Sequence, residues 1–273
     1  MGKTSTSGPD ALAAVFAAIA LEAAAPVMRV YARGAEPRLK SDLSPVTEAD
    51  EESERVIFAA LARAAPGVPV VSEEAVSRGE IPPFGREFIL VDPLDGTREF
   101  LGRNGEFTIN IALVREGVPV AGAIYAPVGE KLWFAGRAAW AVDAAPGAPL
   151  PAPAAWRAIH TRAPPPEGLV ALVSRSHLEE RAEGFLAARA VAGRRAAGSS
   201  LKFCLLAQGE ADVYPRFSPT REWDIAAGDA ILRAAGGAVL GEDGKPMPYG
   251  RLARGFRNDG FVAWGRAPVT PRA

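Results

Sequence analysis

The sequence predicts an α+β first half followed by an α/β second half, on three observations. Two apolar runs, Phe107 to Val114 and Val118 to Ala126, are joined by Arg115-Glu116-Gly117 and read as an antiparallel hairpin. After residue 169, strand-like and helix-like segments alternate. Between these patterns, Asp143 to Pro153 is dominated by Ala, Pro and Gly, the composition of a surface connection. The expected halves are therefore residues 1–149 and 150–273.

The first element is a helix over about Asp10 to Arg33, started by Pro9 and Asp10. Lys3 followed by the apolar run Ala11 to Leu21 has some character of a signal peptide, but Asp10 abuts the run, Glu22 interrupts it and alanine makes it only weakly apolar. No uninterrupted apolar stretch approaches the roughly 20 residues of a membrane span, so no transmembrane segment is expected; attachment to a membrane surface stays open. A second helix follows over Asp50 to Ala65, with Val56, Ile57, Ala60, Leu61 and Ala64 on one face. Val68 to Ser72 and Phe88 to Asp92 read as buried strands, each running directly into acidic residues, and Leu132 to Ala135 with Ala138 to Val142 forms another hairpin. In the second half, strands are expected at Leu169 to Val173, Ala211 to Tyr214, Ala238 to Leu240 and Gly260 to Trp264. Helices are expected at His177 to Ala192, Ser200 to Gln208 and Asp224 to Ala235.

Composition excludes several chemistries. The chain has 31 Lys plus Arg against 32 Asp plus Glu, so its balance does not call for nucleic acid. Its single cysteine, Cys204, forms no intrachain disulfide and points to a reducing compartment, the cytoplasm. With only His160 and His177, a Cys/His zinc site or an HExxH centre is ruled out, and any metal must sit on oxygen ligands.

Val91-Asp92-Pro93-Leu94-Asp95-Gly96-Thr97 sets two carboxylates three residues apart around a proline turn. Pro93 fixes its own φ and Gly96 permits a tight backbone, so both carboxylates and the Leu94 carbonyl are able to face hard cations. On residue types alone, an Asx turn fits equally well. Glu73-Glu74 closes the neighbouring strand, and Thr47-Glu48-Ala49-Asp50 precedes the second helix. Like charges gathered in this way are costly unless cations neutralise them, which favours a multi-metal site. Asp50 also suits a helix cap, as does Asp224 in Glu222-Trp223-Asp224, and spacing does not separate cap from catalyst. Gly193-x4-Gly198-Ser199-Ser200 lacks the lysine of a nucleotide-binding loop, and Cys204 fits a buried hydrophobe better than a nucleophile.

Taken together, Glu73-Glu74, Asp92-Pro93-Leu94-Asp95-Gly96-Thr97 and Trp223-Asp224-x-x-Ala227 resemble the inositol monophosphatase superfamily of magnesium-dependent, lithium-sensitive phosphomonoesterases. Arg103-Asn104-Gly105-Glu106-Phe107-Thr108, Ser174-Arg175-Ser176-His177, Gly198-Ser199-Ser200-Leu201-Lys202 and Tyr214-Pro215-Arg216-Phe217 resemble its CysQ-type 3'(2'),5'-bisphosphate nucleotidase branch. Ser218 stands where those relatives tend to have glycine. The resemblance runs from about Val46 to Trp264.

It implies a layered α/β/α/β/α sandwich of the sugar phosphatase type. It implies Mg2+ ligation, two or three ions with Mn2+ as a substitute and Li+ as an inhibitor, by Glu73, Asp92, the Leu94 carbonyl, Asp95 and Asp224. Asp50 and Thr97 would orient the attacking water, with Glu73 sharing the base role. Gly96, Thr97, Ser174, His177, Ser199, Ser200, Lys202, Arg216 and Asp224 would contact a nucleotide bisphosphate. The implied activity is hydrolysis of 3'-phosphoadenosine 5'-phosphate to AMP and phosphate, with 3'-phosphoadenylyl sulfate as a second substrate. The expected setting is the cytoplasm, with attachment to the inner membrane's cytoplasmic side open, and both monomer and homodimer are open. An inositol or sugar phosphate monoesterase is the runner-up; a non-catalytic metal- or anion-binding regulatory protein is the alternative of another class.

Overall fold

The computed structural model describes residues 8–40, 44–175 and 179–266. In chain order the first half comprises α1 (Pro9–Arg33), β1 (Arg38–Leu39), β2 (Pro45–Val46), α2 (Glu48–Ala64), β3 (Val70–Ser72), α3 (Glu73–Ser77), β4 (Glu87–Asp95), α4 (Thr97–Leu101), β5 (Thr108–Arg115), β6 (Val118–Ala126), β7 (Lys131–Ala135) and β8 (Ala139–Asp143). Beyond the Ala/Pro/Gly connection come β9 (Arg157–Ala158), β10 (Leu169–Ser174), α5 (Glu180–Ala187), β11 (Val191–Ala197), α6 (Leu201–Ala207), β12 (Val213–Arg216), β13 (Thr220–Arg221), α7 (Glu222–Ala234), β14 (Ala238–Gly241), β15 (Arg257–Asn258) and β16 (Phe261–Trp264).

These elements form five layers. Helices α1 and α2 cover one face of a seven-stranded sheet ordered β3-β4-β5-β6-β7-β8-β9, antiparallel except where β3 runs parallel to β4. Its other face packs on α7 and α6, which in turn pack on a five-stranded sheet ordered β11-β10-β12-β16-β14. Helix α5 closes the far side through Leu186 and Phe185. Because the first sheet is covered on both faces, its strands are apolar almost throughout rather than alternating. In β4, Ile89 and Val91 enter the core under α1 and α2, while Phe88 and Leu90 enter the core facing α7.

Three expectations need correction. The helix expected to run to Ala192 stops at Ala187, and Val191–Ala197 is an edge strand parallel to β10. Its outward Arg194 and Arg195 pair with Glu183 and Glu210, and such charged edges lack the apolar signature of a strand. The first sheet also reaches past residue 149, because β9 pairs with β8 while Trp156 packs on Phe134 and Trp140. Finally, α1 is long and apolar enough by composition to cross a bilayer, with mean hydropathy 2.0 over its most apolar window. Of that window 61% is buried within the protein, as in a core helix.

Candidate active site

Two local distortions bring the acids together. Asp92 pairs with Asn110 and Asp95 with Thr108, so three steps along β4 match two along β5. In an unbroken strand, residues three apart point to opposite faces; the extra residue of this bulge, at Pro93-Leu94, lets Asp92 and Asp95 serve the same strand end. Asp92 continues the parity of Phe88 and Leu90, which aims it at α7, and its Oδ1 accepts the Leu94 amide at 3.0 Å. The Asx turn is therefore present and shares its carboxylate with the site. Gly96 then adopts φ 94°, a left-handed value that glycine takes without strain, and starts α4.

Glu73 opens α3 at the end of β3, and Asp224 stands in the first turn of α7. Glu73, Asp92 and Asp224 each offer a carboxylate oxygen, all within 4.8 Å of one another. Burial, then Glu73, Asp95 and Asp224, hold the Asp92 carboxyl well above the usual carboxylate range. Burial followed by Asp95 and Glu73 pushes Asp224 up to about 8. Asp95 is pushed up to about 6 by burial, against the pull of Lys202 and of the Ser200 amide that donates to it. Oxygen-only donors that raise one another's pKa in this way suit a hard divalent cation, whose charge removes the repulsion.

Beside this cluster, the Thr97 hydroxyl donates to Asp50 Oδ1 at 3.3 Å. Asp50 Oδ2 accepts the Thr47 amide at 2.8 Å and the Thr47 hydroxyl at 2.7 Å, forming a capping box at the start of α2. Burial pushes Asp50 up to about 6, with the Thr47 hydrogen bonds acting in the opposite direction. Glu73, Asp92, Leu94, Asp95, Gly96, Thr97, Arg216 and Asp224 all line one cleft of about 630 Å³.

The remaining expected residues divide. Ser199 and Ser200 line a recess of about 70 Å³ beside Asp95, Arg216 and Asp224. Ser174 lies on a neighbouring recess with Glu179 and Arg216. Arg216 has a buried Nε without a partner among the described residues. His177 lies outside the described residues. Lys202, expected as a substrate contact, is only 2% exposed, and its ammonium donates to the carbonyls of Ala197 (3.0 Å) and Ser199 (2.8 Å). Its place is beneath the serine loop, where its charge opposes Asp95.

Sequence reasoning missed Lys40, whose ammonium bridges Glu73 and Glu74 at 2.6 Å each and lines the same cleft. A single lysine in a polar, turn-rich segment carries no spacing signal. Burial and Glu73 push Glu74 up to about 7 despite Lys40.

The layered fold, with acids converging at strand ends, defines a metal-assisted phosphomonoesterase architecture, and a model of the inositol monophosphatase family matches residues 9–262. The chain belongs to the inositol monophosphatase family. It is 41% identical over 239 residues to the 3'(2'),5'-bisphosphate nucleotidase CysQ of Salmonella typhimurium, covering 86% of this chain and 92% of that protein. The CysQ of Buchnera aphidicola is 39% identical, with 82% of each chain covered. Among solved structures, CysQ from Bacteroides thetaiotaomicron superposes with a TM-score of 0.76 at 37% identity, over 93% of this chain and 96% of the other.

Proposed function

We propose that this chain is a 3'(2'),5'-bisphosphate nucleotidase, which hydrolyses 3'-phosphoadenosine 5'-phosphate to AMP and phosphate and removes the same phosphate from 3'-phosphoadenylyl sulfate. The observation that carries the proposal is one cleft lined by the Glu73, Asp92 and Asp224 triad and by Thr97, whose hydroxyl reaches the buried Asp50 behind it, in a chain 41% identical to nucleotidases of that name. We assign Glu73, Asp92, Asp95, Asp224 and the Leu94 carbonyl to Mg2+, as two or three ions, with Mn2+ as a substitute and Li+ as an inhibitor. Bound there, the cation supplies Lewis acidity toward the phosphate and the attacking water. The Thr97 hydroxyl gives its hydrogen to Asp50, so its oxygen is left to accept a hydrogen from that water and aim it at phosphorus. Asp50, with its carboxyl near neutrality, is the group suited to take up the proton, and Glu73 shares this role. Arg216, with its unpaired buried Nε, faces the substrate's second phosphate. The substrate is a small nucleotide, and the expected setting is the cytoplasm.

The test is phosphate release from EDTA-stripped protein with and without Mg2+, comparing 3'-phosphoadenosine 5'-phosphate, inositol 1-phosphate and fructose 1,6-bisphosphate. Magnesium-dependent preference for the nucleotide is the expected result. Preference for inositol or sugar phosphate keeps the metal site and overturns the substrate, and turnover unaffected by stripping and by Mg2+ overturns the metal assignment.

A further inference from the structure

Three of the motifs singled out above meet at one side chain that the catalytic proposal does not use. Glu106 lies in the loop between α4 and β5, and its Oε2 accepts both the Arg175 Nε and the Gly198 amide at 2.8 Å. Its Oε1 accepts Arg175 Nη2 at 2.7 Å, completing a two-pronged guanidinium-carboxylate pair. Arg175 follows β10, and Gly198 opens the turn from β11 into α6, so this carboxylate ties the first half to two loops of the second.

The approach is close enough to need glycines. A Cβ on Gly198 would come within 2.9 Å of the Glu106 carbonyl oxygen and Cβ, and one on Gly96 would meet the same carbonyl and Ser199 Cβ at 3.3 Å. Ser199, next in the chain, has φ 38°, which a non-glycine residue holds only when its surroundings fix it. The surroundings are Glu106 at one side and β5 below. The Thr108 hydroxyl meets Ser199 Oγ at 3.0 Å and Ser200 Oγ at 2.7 Å, and Ser200 Oγ donates to Asn110 Oδ1 at 2.8 Å. What this turn carries is the Ser200 amide on Asp95 and the carbonyls that hold Lys202.

We propose that Glu106, clamped by Arg175, is a positioning residue for substrate selectivity, setting the Gly198-Ser199-Ser200 turn at a fixed distance from the carboxylate cluster so that a nucleotide with two phosphates fits across both. The inference rests on the nucleotidase function proposed above and adds to it the device that gauges the second phosphate. Glu106 and Arg175 do not touch substrate; they act through the turn.

The test compares 3'-phosphoadenosine 5'-phosphate with 3'-AMP, which lacks the 5'-phosphate, in wild type, Glu106→Ala, Arg175→Ala and the double variant. Each single change is expected to raise KM for the bisphosphate about tenfold with kcat held within about twofold, and to leave kcat/KM for 3'-AMP within about twofold. The double variant is expected to be no worse than the worse single, because the two side chains act as one unit. Glu106→Gln keeps an acceptor for the Gly198 amide and guards against a folding defect in the alanine variant; it is expected to fall between wild type and Glu106→Ala. Equal loss on both substrates, or an unchanged bisphosphate KM in Glu106→Ala, overturns the inference alone. A wild-type enzyme with no preference for the bisphosphate overturns the nucleotidase function, and this inference with it.

Discussion

Asp229→Asn is expected to stabilise the protein at pH 8 relative to pH 5, and the size of the effect follows from burial. Asp229 is 0% exposed in α7; Oδ2 accepts the Tyr249 hydroxyl at 2.9 Å, and Oδ1 has no partner among the described residues. Burial pushes its carboxyl from 3.8 up to about 7, against the opposing pull of Arg233 and Tyr249. The folded protein thus holds this proton more tightly than the unfolded chain. The stability this provides is fully present below the unfolded value of 3.8 and is lost as pH rises through about 7. Between pH 5 and pH 8 the loss amounts to about 2.5 kcal/mol, at roughly 1.4 kcal/mol per unit. Asparagine keeps the shape and an acceptor for Tyr249 but does not titrate. Any fixed cost of its amide is the same at both pH values and cancels. Urea unfolding of both proteins in EDTA, at pH 5 and pH 8, measures the difference. A stability difference between variant and wild type that stays flat within about 0.5 kcal/mol across that range would show that Asp229 ionises normally inside the fold, refuting the reasoning.

Asp95→Ala is expected to cut Mg2+-dependent turnover by at least about a hundredfold while leaving the circular dichroism spectrum intact, because it removes an assigned ligand from a group of mutually repelling acids; near-wild-type turnover would remove Asp95 from the site. Thr97→Ala should lower kcat by about a hundredfold or more, with Thr97→Ser recovering most of it, since in the proposed mechanism the hydroxyl bonded to Asp50 is what orients the water. Equal activity in the alanine variant would leave the Asp50 and Thr97 pair without a catalytic role. Gly228→Ala should destabilise by about 1–3 kcal/mol despite alanine's better helix propensity. The added Cβ would lie 2.3 Å from Phe203 Cγ, and that ring packs in a three-ring cluster with Tyr214 and Phe261. A neutral or stabilising result in urea unfolding would mean that the α6 to α7 contact yields more readily than its packing implies.

What could be read from the sequence depended on whether a residue's role was local. The apolar strands and the hairpin were legible because a sheet covered on both faces needs continuous apolar runs, which β4, β5 and β6 have. β11 was not, because consecutive exposed arginines, Arg194 and Arg195, stand on its two faces and pair with Glu183 and Glu210. The acids of the Asp92 to Thr97 segment announced themselves by spacing, but the bulge that makes the spacing work lies in the pairing with β5 and is written in no short motif. The contacts of Lys40 and Glu106 were illegible for the same reason: each owes its position to partners distant in sequence. For Lys202 a recognition motif reads as a substrate contact, while what packing adds, and no motif shows, is its burial and its two bonds to backbone carbonyls.

Asp50 and Asp224 show why cap and catalyst do not separate by spacing: one carboxylate has oxygens enough for the observed cap and for the role proposed above. Each is the third residue of its helix, and each accepts the backbone amide of the capping residue through Oδ2 at 2.8 Å, from Thr47 in one case and Arg221 in the other. A carboxylate has a second oxygen, and in Asp50 that oxygen receives the Thr97 hydroxyl. The cap thereby fixes the orientation of this other oxygen through the helix itself, so the role proposed for it needs no rearrangement when a cation or substrate arrives. For Asp224 the same constraint pins to α7 a carboxylate raised by burial and then by Asp95 and Glu73, which keeps it from rotating away from neighbours that repel it. Cap spacing at a helix start therefore does not count against a catalytic role; in this fold it is the means by which two of the site's acids are held in place.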